Sequence, residues 1–187
     1  MRHLPNLLSA LRLLAAPFTA WLIISGHDMA ALLTFAAAGL SDGLDGFIAR
    51  RWRVTSDFGA WLDPAADKLL MLFCFTALFG VSAAPFWLVA LVIGRDLVFC
   101  AVWLVIKLVG PGLHLNLATP TLFVGKISTV VQVLYILTML LLLALDLDAP
   151  RLSLALAWAC AGFTLLAAAG YAAVMLRSLI SGRRVPQ

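Results

Sequence analysis

Nine aspartates and no glutamate make up all the acidic side chains of this 187-residue chain, and five of the nine fall between Ser41 and Lys68. Four of these, Asp42, Asp45, Asp63 and Asp67, lie in stretches otherwise apolar enough to be embedded in a membrane. At about 100° per residue, Asp42, Asp45, Gly46 and Ala49 share one helical face. Gly59, Asp63 and Asp67 follow at four-residue steps on the next helix, again on one face. Two antiparallel neighbours joined by a short basic turn can bring such faces together, giving a carboxylate cluster lined by residues with almost no side chain. Carboxylates clustered without His or Cys suit a hard divalent cation that prefers oxygen, magnesium or manganese, and four are enough for two ions. The small residues leave room for a bulky phosphorylated group to approach the backbone. Arg50 lies on the turn beside them, and its planar fork matches a pair of phosphate oxygens. These residue types at this spacing point to phosphoryl-type transfer at a membrane surface.

Other chemistry fits the same aspartates. A carboxylate near the middle of a bilayer costs about 2.5–3.5 kcal/mol on insertion scales, so four need compensation on the order of 10 kcal/mol. A buried ion network with Arg12, Lys68, Arg95 and Lys126 would supply it, and so would an ion or proton path lined by the acids. From spacing alone, all of these readings stay open.

The elements that must hold these side chains are membrane helices. With 64% hydrophobic residues, 12% charged residues and a mean hydropathy of +1.06, the composition excludes a soluble globular domain. The length suits about six spans of roughly 20 residues. The expected fold is therefore an all-α integral membrane six-helix bundle, one domain over residues 1–187. Glycine, proline and charge divide it into helices at 5–26, 28–52, 55–80, 84–109, 120–146 and 150–180. The breaks fall at "SGHDM", "RRWRVTSD", "GVSAAP", "GPGLHLNLATP" and "DLDAPR". The apolar start reads as a retained first helix rather than a cleaved signal. Cys74, Cys100 and Cys160 sit singly in apolar runs, which suits packing better than metal or redox work.

The cations fix an expected orientation. Arg2, Arg50, Arg51, Arg53, Lys107, Arg177, Arg183 and Arg184 lie near the N-terminus, the second and fourth connections, or the C-terminus. The first and third connections have no Lys or Arg, and the fifth has only Arg151. An even number of spans with this bias puts both termini in the cytoplasm, most simply of a bacterial inner membrane. The stretch from Asp42 to Asp67 then straddles the cytoplasmic ends of helices two and three. The net charge of +4 is topogenic and gives no case for nucleic acid.

The string Asp42-x2-Asp45-Gly46-x2-Ala49-Arg50, then eight residues, then Gly59-x3-Asp63-x3-Asp67 resembles the signature of the CDP-alcohol phosphatidyltransferase family at every fixed position. The resemblance implies a cytidine-diphosphate donor, usually CDP-diacylglycerol, whose phosphatidyl group moves to an acceptor hydroxyl with release of CMP. It implies that Asp42, Asp45, Asp63 and Asp67 hold two divalent ions, Mg2+ or Mn2+, with Asp63 bridging them and Asp67 also the general base. It further implies that Gly46 and Gly59 admit the cytidine, that Arg50 binds the donor phosphates, and that Ala49 and Ser56 are further donor-binding positions. The stretch Pro5 to Ser9 resembles the segment that closes over the nucleotide, although Asn6 equally suits a cap of the first helix. Homodimers are common in this family, so a homodimer is expected.

The acceptor rests on the second half of the chain. "VIGRDLVFCAVWLV" (92–105) and "GKISTVVQVLYIL" (125–137) resemble segments of the family's cardiolipin synthases, which use phosphatidylglycerol as acceptor. Phosphatidylglycerophosphate synthases share a Gly-Lys pair like Gly125-Lys126, but their fourth helix carries an additional arginine and serine where this chain reads "LVFCAVWLV". Arg95 and Lys126 are the cations expected to bind the acceptor phosphate, although Arg95 also suits pairing with Asp96 or Asp63. Phosphatidylglycerol is the expected acceptor, with glycerol 3-phosphate the alternative. From a different class, the rival is an ion-coupled transporter with a carboxylate relay. Such a relay has no need of Gly46, Ala49 and Gly59 in register.

Overall fold

The computed structural model describes the backbone over residues 4–52, 57–113 and 123–181, and side chains over 11–41, 66–102 and 124–173. The described chain is all-helical, in the order α1 (Leu4–Ile24), α2 (Asp28–Trp52), α3 (Asp57–Gly80), α4 (Phe86–Leu113), α5 (Phe123–Ala144) and α6 (Pro150–Ser181). Each helix answers to one apolar segment of the sequence. The largest departure is α4, expected to stop at residue 109 and found to continue through Gly110, Pro111 and Gly112 to Leu113. Proline's fixed φ is itself helical, so the chain keeps helical dihedrals there even though Pro111 offers no N–H to the carbonyl four residues earlier. The expected connections around 53–56 and 114–122 lie outside the described residues.

On α1 and α6, small residues are mostly inside and large apolar ones outside. On α6 the buried positions are Ala157, Cys160, Ala161, Thr164 and Ala167, a helical stripe of small side chains. Its exposed positions include Leu152, Leu154, Trp158, Phe163, Leu165 and Leu166. On α1, Ala16, Thr19, Ala20 and Ile23 are buried while Leu11, Leu14, Phe18 and Trp21 face outward. Small residues inside allow close backbone approach, and large apolar residues outside are stable only against hydrocarbon. The hydroxyls agree: Thr19, Thr34, Ser41 and Thr76 each donate at 2.7 Å to the carbonyl four residues earlier, where lipid would offer no other acceptor. Among the described residues, Val124–Ala144 and Pro150–Ala173 are long and apolar enough to cross a membrane. Leu11–Ile24 and Asp28–Ser41 are shorter apolar helices.

Three helices end in the same way. After α1, Gly26 takes φ of 72°, its N–H bonds to the Ile23 carbonyl, and the His27 N–H bonds to the Leu22 carbonyl. This pair of bonds is the Schellman motif, in which a left-handed residue turns the chain back on the last turn. Ser82 (φ 60°) after α3 and Asp146 (φ 51°) after α5 take the glycine's part, with equivalent bonds to Phe79 and Leu78 and to Leu143 and Leu142. α2 then begins at Asp28, an acid well suited to a helix N-terminus, and α6 at Pro150, whose missing N–H has no partner to lose there.

The chain divides into two compact units, Met1–Pro85 with Tyr135–Ser153, and Phe86–Leu134 with Leu154–Gln187. In the first, α1 packs on α3 and on α2. Its core includes Phe35, Leu70, Cys74, Phe75 and Leu78, with Tyr135 stacked on Phe75 at 5.8 Å and an interplanar angle of 8°. In the second, the Trp87 and Trp158 rings meet at 4.8 Å, and Gln132 and Thr164 join α5 to α6.

Candidate functional site

The first unit carries the aspartate motif. Asp42, Asp45, Gly46, Ala49 and Arg50 are helical positions of α2, and Gly59, Asp63 and Asp67 are helical positions of α3. The registers are those the sequence requires: an i, i+3 pair of acids on one helix and an i, i+4 pair on the other, each confined to one face. Asn6 belongs to the first turn of α1. Ser56 and the side chains of Asn6, Asp42, Asp45, Gly46, Ala49, Arg50, Gly59 and Asp63 lie outside the described residues.

Asp67 is half-buried, between the fully buried Ala66 and the buried pair Leu70 and Met71. Lys68, the next residue, is exposed. On α1, which packs on both aspartate-bearing helices, Arg12 is only 3% exposed and stands in line with Ala16, Thr19 and Ile23. A guanidinium so deep in an apolar unit is a strong local source of positive charge. In the sequence Arg12 is no more than a possible counter-ion, and its burial distinguishes it from the other cations whose side chains are described.

The second unit carries the other expected cations, and it treats them differently. Arg95 on α4 keeps 10% of its side chain exposed; its Nε lies 3.5 Å from Asp96 Oδ1, so the expected pairing with Asp96 is present. Its Nη1 donates to Ser128 Oγ at 3.3 Å, and its Cζ stands 5.4 Å from the centre of the Phe99 ring. Lys126 on α5 is exposed, so the side chain of α5 that Arg95 engages is Ser128, two residues further on.

Ser128 is one member of a stripe on α5. Gly125, Ser128 and Gln132 follow at i, i+3 and i+7, one face of a helix. Gly125 faces Tyr171 of α6: a Cβ at residue 125 would meet the Tyr171 hydroxyl oxygen at 2.5 Å. Gln132 Nε2 donates to Thr164 Oγ1 at 3.1 Å, and the Thr164 hydroxyl donates to the Cys160 carbonyl at 2.7 Å. Ser128, Gln132 and Thr164 are all buried. The sequence contained a signal for this stripe, since Ser128 and Gln132 are polar residues four apart, on one face of a largely apolar helix. Tyr171 and Phe99 carried no such signal. Cys74 and Cys160 are buried in their units as expected of packing residues, whereas Cys100 is exposed on α4.

A family model described as CDP-alcohol phosphatidyltransferase matches residues 2–170. The chain belongs to that family. Among relatives in the CDP-alcohol phosphatidyltransferase family, a cardiolipin synthase (CMP-forming) of Rattus norvegicus is 35% identical over 185 residues, covering 89% of this chain and 59% of the rat protein. A chloroplastic CDP-diacylglycerol–glycerol-3-phosphate 3-phosphatidyltransferase 1 of Oryza sativa is 32% identical over 184 residues, covering 90% of this chain and 56% of the rice protein. The CDP-diacylglycerol–glycerol-3-phosphate 3-phosphatidyltransferase of Escherichia coli is 42% identical over 72 residues, covering 37% of this chain and 40% of its own. The chain thus spans less than two thirds of the length of each of these relatives.

Proposed function

We propose that this chain transfers a phosphatidyl group from CDP-diacylglycerol to an acceptor hydroxyl and releases CMP. The observation that carries the reading is the complete eight-residue motif, in register on α2 and α3 of one unit, in a chain belonging to this family. Membership supports the reaction, and the register supports the assignment of residues. A carboxylate relay has no use for Gly46, Ala49 and Gly59, so the motif favours transfer over transport.

The donor set fits a pair of magnesium or manganese ions: four carboxylates, no nitrogen or sulfur ligand in the motif, and helical spacing that puts each pair of acids on one face. Asp42, Asp45, Asp63 and Asp67 would hold them, with Asp63 shared. When bound, such ions neutralise a pyrophosphate and polarise the phosphorus under attack. The chain's own groups do the rest. Arg50 binds the donor's phosphates through its fork, Gly46, Ala49 and Gly59 leave space for the cytidine, and Ser56 and Asn6 add donor contacts. Asp67 accepts the proton of the acceptor hydroxyl as that oxygen bonds to the β-side phosphorus of the donor and the bond to CMP breaks. Partial burial of Asp67 beside Ala66 and Leu70 suits this part, because a base there is sheltered from bulk water yet still reachable.

We read the acceptor as phosphatidylglycerol, with Arg95 and Lys126 binding its phosphate. The apolar character of α4 beyond Arg95 supports a lipid with a single negative charge, and so does the similarity to the rat cardiolipin synthase. Glycerol 3-phosphate is the second reading, favoured by the printed names of the rice and Escherichia coli relatives. We place the protein as one six-span domain over residues 1–187 in a bacterial inner membrane, with both termini and the site on the cytoplasmic side, working as a homodimer. Purified protein given CDP-diacylglycerol and manganese should release CMP only when an acceptor is added. Offering phosphatidylglycerol and glycerol 3-phosphate separately identifies the acceptor, and release without either one would overturn the transfer reading.

A further inference from the structure

The Phe99 ring meets two side chains of the second unit. The Arg95 guanidinium stands over it, 5.4 Å from its centre, and the Tyr171 ring meets it edge-on, at 4.8 Å and 72°. Arg95 and Phe99 are one turn apart on α4, so Phe99 is the floor on which the guanidinium rests, and Tyr171 is what keeps that floor from turning. Tyr171 comes from α6 and is itself fixed by α5. Its hydroxyl lies against the backbone at Gly125, in space that any other residue would fill, since a Cβ there would sit 2.5 Å from Oη and 3.2 Å from Cε2 and Cζ. The same face of α5 supplies Ser128, which accepts from Arg95 Nη1 at 3.3 Å. One face of α5 therefore locates Arg95 twice, directly through Ser128 and indirectly through Gly125, Tyr171 and Phe99.

We propose that Tyr171 is a positioning residue for the acceptor: seated on Gly125, it orients Phe99 and thereby aims Arg95 at the acceptor's phosphate. This rests on the reading of Arg95 as an acceptor-phosphate ligand. It assigns work to a residue just beyond the stretch that the family model matches, and it gives the Gly-Lys pair a second role, in which the glycine admits the tyrosine. The role is specific to the acceptor, because Tyr171 acts through Phe99 on Arg95, the residue read as the acceptor-phosphate ligand.

The test separates the apparent KM for acceptor and donor in the full-length protein, using CDP-diacylglycerol, manganese and whichever of phosphatidylglycerol and glycerol 3-phosphate supports turnover. Tyr171→Leu should raise the acceptor KM about five- to tenfold, the size expected for loss of the edge-on aromatic contact that holds Phe99, and leave the donor KM within about twofold. Tyr171→Phe keeps the ring and should stay within about twofold of wild type on both. Gly125→Ala should raise the acceptor KM as Tyr171→Leu does, and adding Tyr171→Phe to it should restore part of the loss, because the 2.5 Å approach of the hydroxyl is gone and only the 3.2 Å ring contacts remain. That rescue keeps the test decisive even if Tyr171→Leu fails to fold. An unchanged acceptor KM in Tyr171→Leu, an equal change in donor KM, or no rescue in the double variant would overturn the proposal. Arg95→Gln tells the two levels apart. If it raises the acceptor KM and Tyr171→Leu does not, only the role of Tyr171 falls; if Arg95→Gln itself leaves the acceptor KM untouched, the acceptor reading beneath it falls as well.

Discussion

Arg95 of α4 and Ser128 of α5 are joined by a 3.3 Å hydrogen bond in which the guanidinium donates and a fully buried hydroxyl accepts. A hydrogen bond to a charged group contributes about 1.5–3 kcal/mol, and the length of this one places it at the lower end. Ser128→Ala is therefore expected to lower stability by about 1–1.5 kcal/mol, read as a fall in the thermal midpoint of the purified protein. An unaltered midpoint would mean that Asp96 alone carries the guanidinium.

Gln132 and Thr164 are a second such pair. Removing Thr164 deprives the buried Gln132 amide of this bond, at a cost of about 1–3 kcal/mol, whereas removing Gln132 leaves the Thr164 hydroxyl its bond to the Cys160 carbonyl. Thr164→Val should destabilise by about that amount, and adding Gln132→Leu should cost much less than the sum of the single changes. Additive losses in thermal unfolding would show that the two side chains do not support each other.

The residues expected at the chemical step should separate from these structural ones. Asp67→Asn keeps the size of the side chain and removes the base, so acceptor-dependent CMP release should fall about 10²–10⁴-fold while the helical circular dichroism is retained. Chelation with EDTA should stop release by the unmodified protein, and magnesium or manganese should restore it. Release that persists in EDTA would remove the paired cations from the scheme.

The three Schellman turns give a prediction free of any functional reading. A left-handed conformation costs a residue with a Cβ about 1–2 kcal/mol, part of which glycine gives back through its greater freedom when unfolded. Ser82→Gly should therefore raise stability by about 0.5–1 kcal/mol, and Asp146→Gly by less, because aspartate tolerates this region better. Gly26→Ala should lower stability by about 1 kcal/mol through φ alone, since nothing lies within 4 Å of the added methyl. Thermal unfolding of the three variants ranks them.

Much of this was legible from composition and punctuation. Helices α1, α2 and α3 begin and end close to where glycine, proline and charge predict, because a break in an apolar helix needs a residue that cannot continue it. The "GPG" of residues 110–112 misled, since proline near a helix end is compatible with the helix. The motif aspartates stand out in the sequence because charge in an apolar segment is costly, and the structure puts them at helical positions of α2 and α3. Ser128 and Gln132 were half legible, as polar residues one turn apart. The seat of Tyr171 was not legible at all. Gly125 reads in the sequence as part of a Gly-Lys pair, and only a structure reveals which distant ring occupies the space that its missing side chain leaves.

Helix α5 serves both units, giving the second its residues up to Leu134 and the first its residues from Tyr135 onward. Tyr135, Ile136, Met139 and Leu140 are buried residues of the first unit, yet they arrive some fifty positions after its α3 has ended. A fragment cut at Pro85 would hold the whole aspartate motif and still lack the ring that stacks on Phe75. The packing of the N-terminal half thus waits on the synthesis of the C-terminal half, and a nascent chain completes its aspartate-bearing unit only once the fifth helix has been made.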